Sequence, residues 1–125
     1  GYIGFGGAGK QVRDVLHVDD LCDLVEIQLR DMDRVNGRVL NAGGGAGNSD
    51  TLKGFTERCA KITGHTITMG RDATDRPGAI KLYITDNRRI TDLTGWSPKR
   101  DIDRVLFDSY EWLKQHEEQL RVILS

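Results

Sequence analysis

The amino-acid sequence predicts an α/β domain whose elements follow the order β-α-β-α-β-α-α. Two patterns support this class: alternating apolar residues near the N-terminus, typical of a strand, and later apolar residues at three- and four-residue spacing, typical of helices. Glycine, asparagine and proline separate these segments, as expected for turns. At 125 residues the chain has the length of one domain, so residues 1–125 are expected to fold as a single domain.

Capping residues, glycines and prolines set the boundaries of the predicted elements. In chain order these elements are a strand at Lys10–Val18, a helix from Asp19 or Asp20 to Asn36-Gly37, a strand at Arg38–Ala42, a helix capped by Asn48 or Ser49 and ended by Gly64, a strand at Thr66–Met69, a short helix capped by Thr85 or Asp86 and ended by Gly95, and a helix from Ile102 to about Gln119. Each long helix carries apolar residues on one face, so it is expected to pack against another element.

The chain begins with a glycine-rich stretch that matches two nucleotide-binding patterns. "GFGGAGKQ" (Gly4–Gln11) contains both G-x-G-x-x-G and G-x-x-x-x-G-K. Either pattern needs a buried strand entering the loop and a helix leaving it, with its N-terminal N–H groups facing the phosphates. Only three residues precede Gly4, the pattern after Lys10 is that of a strand, and Gln11 replaces the hydroxyl residue of a P-loop. The stretch is therefore predicted to lead into a strand rather than to bind a nucleotide.

Charge and composition argue against several classes of function. The formal net charge of -1 is not typical of nucleic-acid or membrane-surface binding. No apolar run approaches 18 residues and no signal peptide is visible, so a cytoplasmic protein is expected. Cys22 and Cys59 lie in helical patterns and are expected to be small core residues. Neither cysteines nor histidines have metal-ligand spacing, so no metal site is predicted, and no compact catalytic motif is present.

Two arginines and a second glycine-rich turn are the residues best suited to bind an anion. The Gly43–Asp50 turn joins a predicted strand to a predicted helix, and either ligand contact or plain turn geometry accounts for its glycines. Arg13 lies within the first strand, where either a solvated side chain or a bidentate phosphate contact fits the pattern. Arg76 lies in a Gly/Pro loop, a common place for residues that contact substrate. These residues alone predict a small α/β domain with a candidate anion site.

Four stretches of the chain carry a further signal through their order and spacing. They are "GKQVRDVLHVDDL" at Gly9–Leu21, "VLNAGGG" followed by "NS" within Val39–Ser49, "DRPG" at Asp75–Gly78, and "YITDNRRITDLTGWSPK" at Tyr83–Lys99. Together they resemble the C-terminal portion of extended short-chain dehydrogenases/reductases that act on nucleotide sugars. The likeness extends over nearly the whole chain.

The resemblance implies a role for three residues. In that family, the arginines that correspond to Arg13 and Arg76 hold the diphosphate of the nucleotide sugar, and Gln11, on the same strand face as Arg13, is expected to approach the nucleotide. The family loop commonly continues R-P-G-D, with the aspartate reaching the ribose hydroxyls. This chain has Ala79 at that position, so the ribose contact is not expected here. The Asp19-Asp20 pair is expected to cap a helix.

The resemblance also implies what this chain does not carry. Family members bind NAD on an N-terminal Rossmann half and catalyse with a Tyr-x-x-x-Lys pair. Tyr110 and Lys114 have that spacing, but they lie on the predicted terminal helix, outside the catalytic position of the family. We therefore expect no cofactor, no catalytic residue and no independent epimerisation in this chain.

Three functions remain open at this point. The chain either binds a nucleotide-diphosphate sugar without catalysis, or complements a separate Rossmann chain to form an active epimerase, or mediates protein association with a vestigial site. A homodimer is also expected, because the Arg38–Ala42 strand and the apolar face of the first helix would otherwise lose their cover.

Overall fold

The computed structural model describes residues 1–124, in which four short strands form two separate pairs. The strands are β1 at Tyr2–Ile3, β2 at Val12–Asp14, β3 at Ser49–Thr51 and β4 at Arg71–Asp72. β1 pairs in parallel with β4, and β2 pairs antiparallel with β3, with Val12 opposite Thr51. A parallel bridge from Val12 to Leu82 brings a third segment alongside β2. β2 is therefore flanked on both sides.

Six helices accompany these strands in the described residues. They are α1 at Val18–Arg30, α2 at Met32–Val35, α3 at Leu52–Thr63, α4 at Arg88–Thr94, α5 at Ile102–Gln115 and α6 at Glu117–Leu124. Gly64 and Gly95 end α3 and α4 in the left-handed conformation, as the sequence predicted. The first and last predicted helices are each divided, at Asp31 and at His116, where the backbone leaves helical geometry. Mixed helices and strands confirm the α/β class.

The N-caps of three helices differ from the prediction. The N-cap of α4 is Asn87, rather than Thr85 or Asp86. The side chain of His17, rather than Asp19 or Asp20, caps α1 by accepting a hydrogen bond from the backbone N of Asp19 at 3.1 Å. Thr51, rather than Asn48 or Ser49, caps α3 through the backbone N of Gly54 at 2.9 Å. In both cases the helix begins where the preceding extended segment ends, and the residue at that junction provides the acceptor.

The hydrophobic core lies between α1, α4 and the segment that follows α4. Leu24, Ile90 and Trp96 are buried in mutual contact, and Leu16, Ile27 and Leu40 pack against them. The Trp96 indole Nε1 donates to the backbone O of Asp20 at 2.9 Å, so the ring satisfies its polar atom while its body fills the core.

Asp20 is fully buried, and its carboxylate fixes the chain that enters α5. It accepts hydrogen bonds from the backbone N of Lys99 at 3.1 Å and of Arg100 at 3.0 Å, and from Arg100 Nη1 at 2.6 Å. The prediction that Asp20 is structural agrees with this geometry, but its role as a helix cap is wrong. A buried carboxylate needs several donors, and a distant turn supplies them here.

Two predicted strands are wrong. Neither Arg38–Ala42 nor Thr66–Met69 has a strand partner among residues 1–124, and both segments are irregular. One apolar residue of each segment, Val39 and Ile67, is exposed rather than covered by a neighbouring element. A strand exists only when a neighbour completes its hydrogen bonds, and the pattern of one segment does not identify that neighbour.

One face of α1 is left uncovered by the described residues. Leu21, Val25 and Leu29 are 45%, 44% and 67% exposed, whereas Leu24 is buried in the core. The prediction that Cys22 and Cys59 are core residues is wrong, because both are exposed. α1 packs with one face only, and α3 buries none of its residues completely. No helix within residues 1–124 has the length and apolar character needed to cross a membrane.

Candidate functional site

One cavity brings together the three residues that were predicted to contact a ligand. It has a volume of about 190 Å³ and lies between the start of the chain, β2 and the loop that follows β4. Gln11, Arg13 and Arg76 all line it. The other lining residues are small or apolar: Ile3, Gly4, Phe5, Leu52, Ala79 and Ile80. Two guanidinium groups and one amide are therefore the polar groups that its walls present to a ligand.

Gln11 is the most enclosed polar side chain of the cavity. The residue is 5% exposed, and its Nε2 donates to the backbone O of Ile3 at 2.6 Å. Its backbone O accepts from the N of Leu52 at 2.9 Å, which holds the residue to the first turn of α3. The Ile3 carbonyl can only accept a hydrogen bond, so it fixes which end of the amide is Nε2. The other end, Oε1, is buried and has no hydrogen-bond partner among residues 1–124.

Arg13 is held in place by the backbone on both sides of its guanidinium. Its Nη1 donates to the O of Val12 and its Nη2 to the O of Ile80, each at 2.6 Å. A guanidinium has five N–H groups, so three remain outside these two bonds. Arg13 is partly buried beside the residue 79–81 segment, which also pairs with β2 through Val12 N and Lys81 O at 2.9 Å. The side chain is therefore oriented before any ligand arrives.

Arg76 reaches the cavity from the exposed loop that follows β4. The loop is joined to the start of the chain by a hydrogen bond from Phe5 N to Asp75 Oδ1 at 2.6 Å. Hydrogen bonds from Thr74 hold the pKa of Asp72 below its usual range, and the positive charge of Arg76 acts in the same direction. Arg76 thus provides a second cation at the cavity, with an acidic residue nearby.

The glycine-rich start of the chain does not have the geometry of a nucleotide-binding loop. Backbone φ is positive at Gly4, Phe5, Gly6, Gly7 and Gly9, and Phe5–Gly7 forms a 3₁₀ turn. The chain then passes into β2, and no helix N-terminus follows the loop. These residues do not fit the pyrophosphate of NAD, which needs that N-terminus. The prediction that this stretch leads into a strand agrees with the structure.

The second glycine-rich turn uses its own N–H groups internally. Asp14 Oδ2 accepts from Gly45 N at 2.9 Å and from Thr85 N at 3.1 Å. The Asn87 amide pairs with Gly43, accepting from its N at 3.0 Å and donating to its O at 2.8 Å. Burial raises the pKa of Asp14, but the hydrogen bonds from Gly45 and Thr85 outweigh it and lower the pKa below its usual value. This geometry favours the plain-turn interpretation over an anion site.

The remaining sequence motif, Tyr110 and Lys114, lies on α5 and lines no part of this cavity. Lys114 Nζ is 5.4 Å from the centre of the Tyr110 ring and forms an ion pair with Glu111 at 3.2 Å. In the part of the chain that the structure describes, no three histidine, cysteine or acidic side chains converge to hold a metal ion.

Comparison with known proteins relates this chain to nucleotide-sugar epimerases. No family model matches the chain. Over 110 residues it is 31% identical to CDP-paratose 2-epimerase of Salmonella typhi, an alignment that covers 85% of this chain and 31% of that enzyme. Over 114 residues it is 31% identical to UDP-glucose 4-epimerase of Lacticaseibacillus casei, covering 88% of this chain and 33% of that enzyme.

A solved structure shows the same fold. UDP-glucuronic acid 4-epimerase from Bacillus cereus, in complex with UDP-glucuronic acid and NAD, superposes with a TM-score of 0.77 at 26% identity. The match covers 90% of this chain and 34% of that one. The fold is therefore that of extended short-chain dehydrogenases/reductases. Within that class, the chain is similar to the C-terminal portion of nucleotide-sugar epimerases. It spans about a third of the length of the curated relatives it matches.

Proposed function

We propose that this chain binds the diphosphate of a nucleotide sugar through Arg13 and Arg76. One observation carries the proposal: two arginines far apart in the sequence line one small cavity. Planar guanidinium groups match the spacing of phosphate oxygens and form short, charge-assisted hydrogen bonds with them. A diphosphate has enough oxygens to accept from both groups at once.

The state of Arg13 supports this assignment. Two backbone carbonyls already fix its guanidinium, so binding a phosphate freezes little additional side-chain motion. Arg76 is exposed and is expected to become ordered on binding. The structure of the Bacillus cereus epimerase contains UDP-glucuronic acid, which is a ligand of the class proposed here.

We propose binding without independent catalysis. The Gly4–Gln11 stretch does not fit NAD, and Tyr110 and Lys114 lie apart from the cavity residues. Hydride transfer in this family belongs to its cofactor, so residues that hold the diphosphate position a substrate without converting it. Complementation by a separate cofactor-binding chain is the alternative in which epimerase activity would arise.

Isothermal titration with UDP, CDP and UDP-glucose tests the binding. We expect residues 1–125 to bind with a dissociation constant of about 0.1–1 mM, equivalent to about 4–5.5 kcal/mol, because the entropic cost of binding offsets much of what two arginine contacts contribute. NAD is titrated in parallel and is expected not to bind at micromolar concentration.

Matched arginine variants test the assignment. Arg76→Ala removes an exposed side chain and is expected to weaken UDP binding by about tenfold or more without loss of stability. Arg13→Lys keeps the charge but loses the planar fork, and it should weaken binding as well. Arg89→Ala, on the exposed surface of α4 and outside the cavity, is the control for loss of charge. Unchanged affinity in both cavity variants would show that the assignment is wrong.

The uncovered face of α1 favours protein association as a second candidate function. Leu21, Val25 and Leu29 present apolar surface that no described residue covers. We propose self-association through this face, most simply as a two-fold dimer. This association does not involve the arginine cavity, so the two functions are compatible and can be measured separately.

A further inference from the structure

A second cleft of the chain shares no lining residue with the arginine cavity. Tyr2 lines this cleft, whereas Ile3, the next residue of β1, lines the cavity, and Lys10 and Gln11 divide in the same way. Successive side chains of a strand point to opposite faces, so the cleft and the cavity lie on opposite faces of β1. The cleft has a volume of about 530 Å³, within the range of about 300–1,000 Å³ that is typical of small-molecule sites.

Three chain segments form the walls of this cleft, which we call the basic cleft, and backbone hydrogen bonds join them. The segments are residues 2–10, α3 with its N-cap, and residues 66–71. Gly9 O accepts from Lys53 N at 3.0 Å, and Tyr2 N donates to Gly70 O at 2.9 Å. Gly9 also lies directly against the Tyr2 ring, since a Cβ at Gly9 would be 2.9 Å from the ring atom Cδ1. The walls are therefore held together before any ligand arrives.

One part of the lining of the basic cleft is apolar. Tyr2, Ala60 and Met69 are half-buried there, and Ile67 adds exposed apolar surface. An apolar group that entered the cleft would remove this surface from water together with its own. Each methylene group that is buried in this way raises affinity about fourfold.

The exposed part of the lining is positively charged. Lys10, Lys53 and Arg71 contribute three cations, and Glu57 is the one acidic residue that lines the cleft. Lys53 Nζ lies 3.7 Å from Glu57 Oε1. No ion pair among residues 1–124 includes Lys10 or Arg71, so these two cations of the cleft have no acidic partner within the described chain.

We propose that the basic cleft binds a small organic anion, in which an acidic group is attached to an acyl chain or an aromatic ring. The acidic group pairs with Lys10 and Arg71, and the apolar body covers Tyr2 and Met69. Both parts of the ligand are needed, because contact with an exposed cation contributes little by itself. The site is separate from the arginine cavity and does not depend on the function proposed above.

A ligand series on the wild-type chain tests both requirements. Octanoate, indole-3-acetate, acetate and octanamide are titrated, and binding is followed by residue-resolved amide NMR. We expect octanoate or indole-3-acetate to shift the signals of Gly9, Lys53 and Ala60 saturably, while those of Arg13 and Ile80 in the arginine cavity stay unchanged. Acetate, which has no apolar body, should bind at least about tenfold more weakly. Octanamide, which has no charge, should bind about three- to tenfold more weakly than octanoate.

The same series separates the two kinds of apolar body. Saturation by octanoate alone assigns an acyl chain, saturation by indole-3-acetate alone assigns an aromatic ring, and saturation by both shows that the cleft accepts either. Absence of saturation with both ligands would overturn the inference. Shifts centred on Arg13 and Ile80, or equal affinity for octanoate and octanamide, would also overturn it.

A pair of double variants tests the two cations. Lys10→Gln combined with Arg71→Gln removes two exposed charges and should weaken octanoate or indole-3-acetate about three- to tenfold. Lys61→Gln combined with Arg89→Gln is the matched control, because it removes the same charge from exposed positions that do not line the cleft. Equal weakening by both double variants would show an effect of net charge alone and would refute the site. UDP affinity should change equally in the two, since neither alters the arginine cavity.

Discussion

Replacing Asp20 with asparagine should destabilise the fold far more than the same change at the adjacent Asp19. Asp20 is fully buried, and its carboxylate accepts from the backbone N of Lys99 and of Arg100 and from Arg100 Nη1. The substituted side chain would keep one oxygen of similar size and position. Its amide nitrogen, a donor, would then face either the two backbone donors or the guanidinium.

The geometry gives the size of the effect. If the remaining oxygen stays on the backbone donors, the Arg100 contact at 2.6 Å is lost. The amide nitrogen of the asparagine would then face the Arg100 guanidinium, and both groups are donors. Arg100 retains nearby partners, because its Nη2 is 3.4 Å from Asp19 and its Nη1 is 3.6 Å from Asp23. Because Arg100 keeps these partners, the expected loss of unfolding free energy is about 2–3 kcal/mol. Most of it arises because the hydrogen bonds from Lys99 N and Arg100 N then go to a neutral amide oxygen instead of a charged carboxylate. Asp19 is largely exposed, so its replacement should cost about 0–1 kcal/mol.

Urea denaturation of wild type, Asp20→Asn and Asp19→Asn measures these differences in unfolding free energy. The comparison requires that the dependence of the free energy on urea concentration is the same in all three proteins. The difference for Asp20→Asn should also depend on pH. Burial raises the pKa of Asp20, but the hydrogen bonds from Arg100 and Lys99 outweigh it and lower the pKa below 3.8. A carboxylate with a lowered folded-state pKa stabilises the protein fully above its unfolded pKa, and this contribution is lost as pH falls through the folded value. The difference should therefore be constant at neutral pH and shrink below pH 3.8.

Equal destabilisation by Asp19→Asn and Asp20→Asn would refute this reasoning, as would a difference that grows on acidification. Either result would mean that the Lys99–Arg100 turn is held by something other than the Asp20 carboxylate.

Two further predictions concern a close backbone approach and the uncovered helix face. Gly44→Ala should lower the free energy of unfolding by about 2–3 kcal/mol, because its Cβ would lie 2.7 Å from the carbonyl carbon of Val15. Gly47→Ala, with open space around the glycine, is the control and should be nearly neutral in urea denaturation. Similar costs for both would contradict the packing argument. Light scattering at tens of micromolar protein should give a mass above the 14.0 kDa of one chain, and Val25→Lys in the exposed face of α1 should shift it toward that mass. A wild-type mass of one chain would exclude the proposed association.

Local signals in the sequence were sufficient to place the main helices, but not the breaks at Asp31 and His116. Apolar residues at helical spacing indicated α3 and α4, and Gly64 and Gly95, which adopt positive φ, end them as predicted. The N-caps were harder, because several polar residues precede each helix and the backbone decides among them. The sequence does not single out His17 as a cap, because a histidine serves that role only when its Nδ1 faces the first N–H groups of the helix.

Strands could not be located from local patterns, because their existence depends on partners elsewhere in the chain. β2 forms within the predicted Lys10–Val18 strand, where Ser49–Thr51 and Leu82 lie alongside it. Arg38–Ala42 has a similar apolar pattern but no neighbour among the described residues. For the same reason the prediction that Cys22 and Cys59 are core residues is wrong: a helical pattern predicts an apolar face, but not whether another element covers that face.

For the candidate site, the sequence identified the residues but not the contacts that orient them. Family resemblance singled out Gln11, Arg13 and Arg76, and the structure brings all three to one cavity. The contacts that orient them had no sequence signal. The Ile3 and Ile80 carbonyls are backbone atoms, which any residue would supply, so only the fold reveals that they hold Gln11 and Arg13.

The anchoring contacts also show which features of the proposed site are held by this chain's own residues. Each wall of the cavity is tied to another by bonds between described residues: Phe5 to Asp75, Gln11 to Ile3, and Arg13 to Ile80. The relative positions of the polar groups therefore depend on contacts within this third of a relative's length. The outer face of α1 is different, because nothing described covers it. A partner on α1 would change oligomeric state and stability, whereas the arginine cavity would keep its geometry with or without that partner.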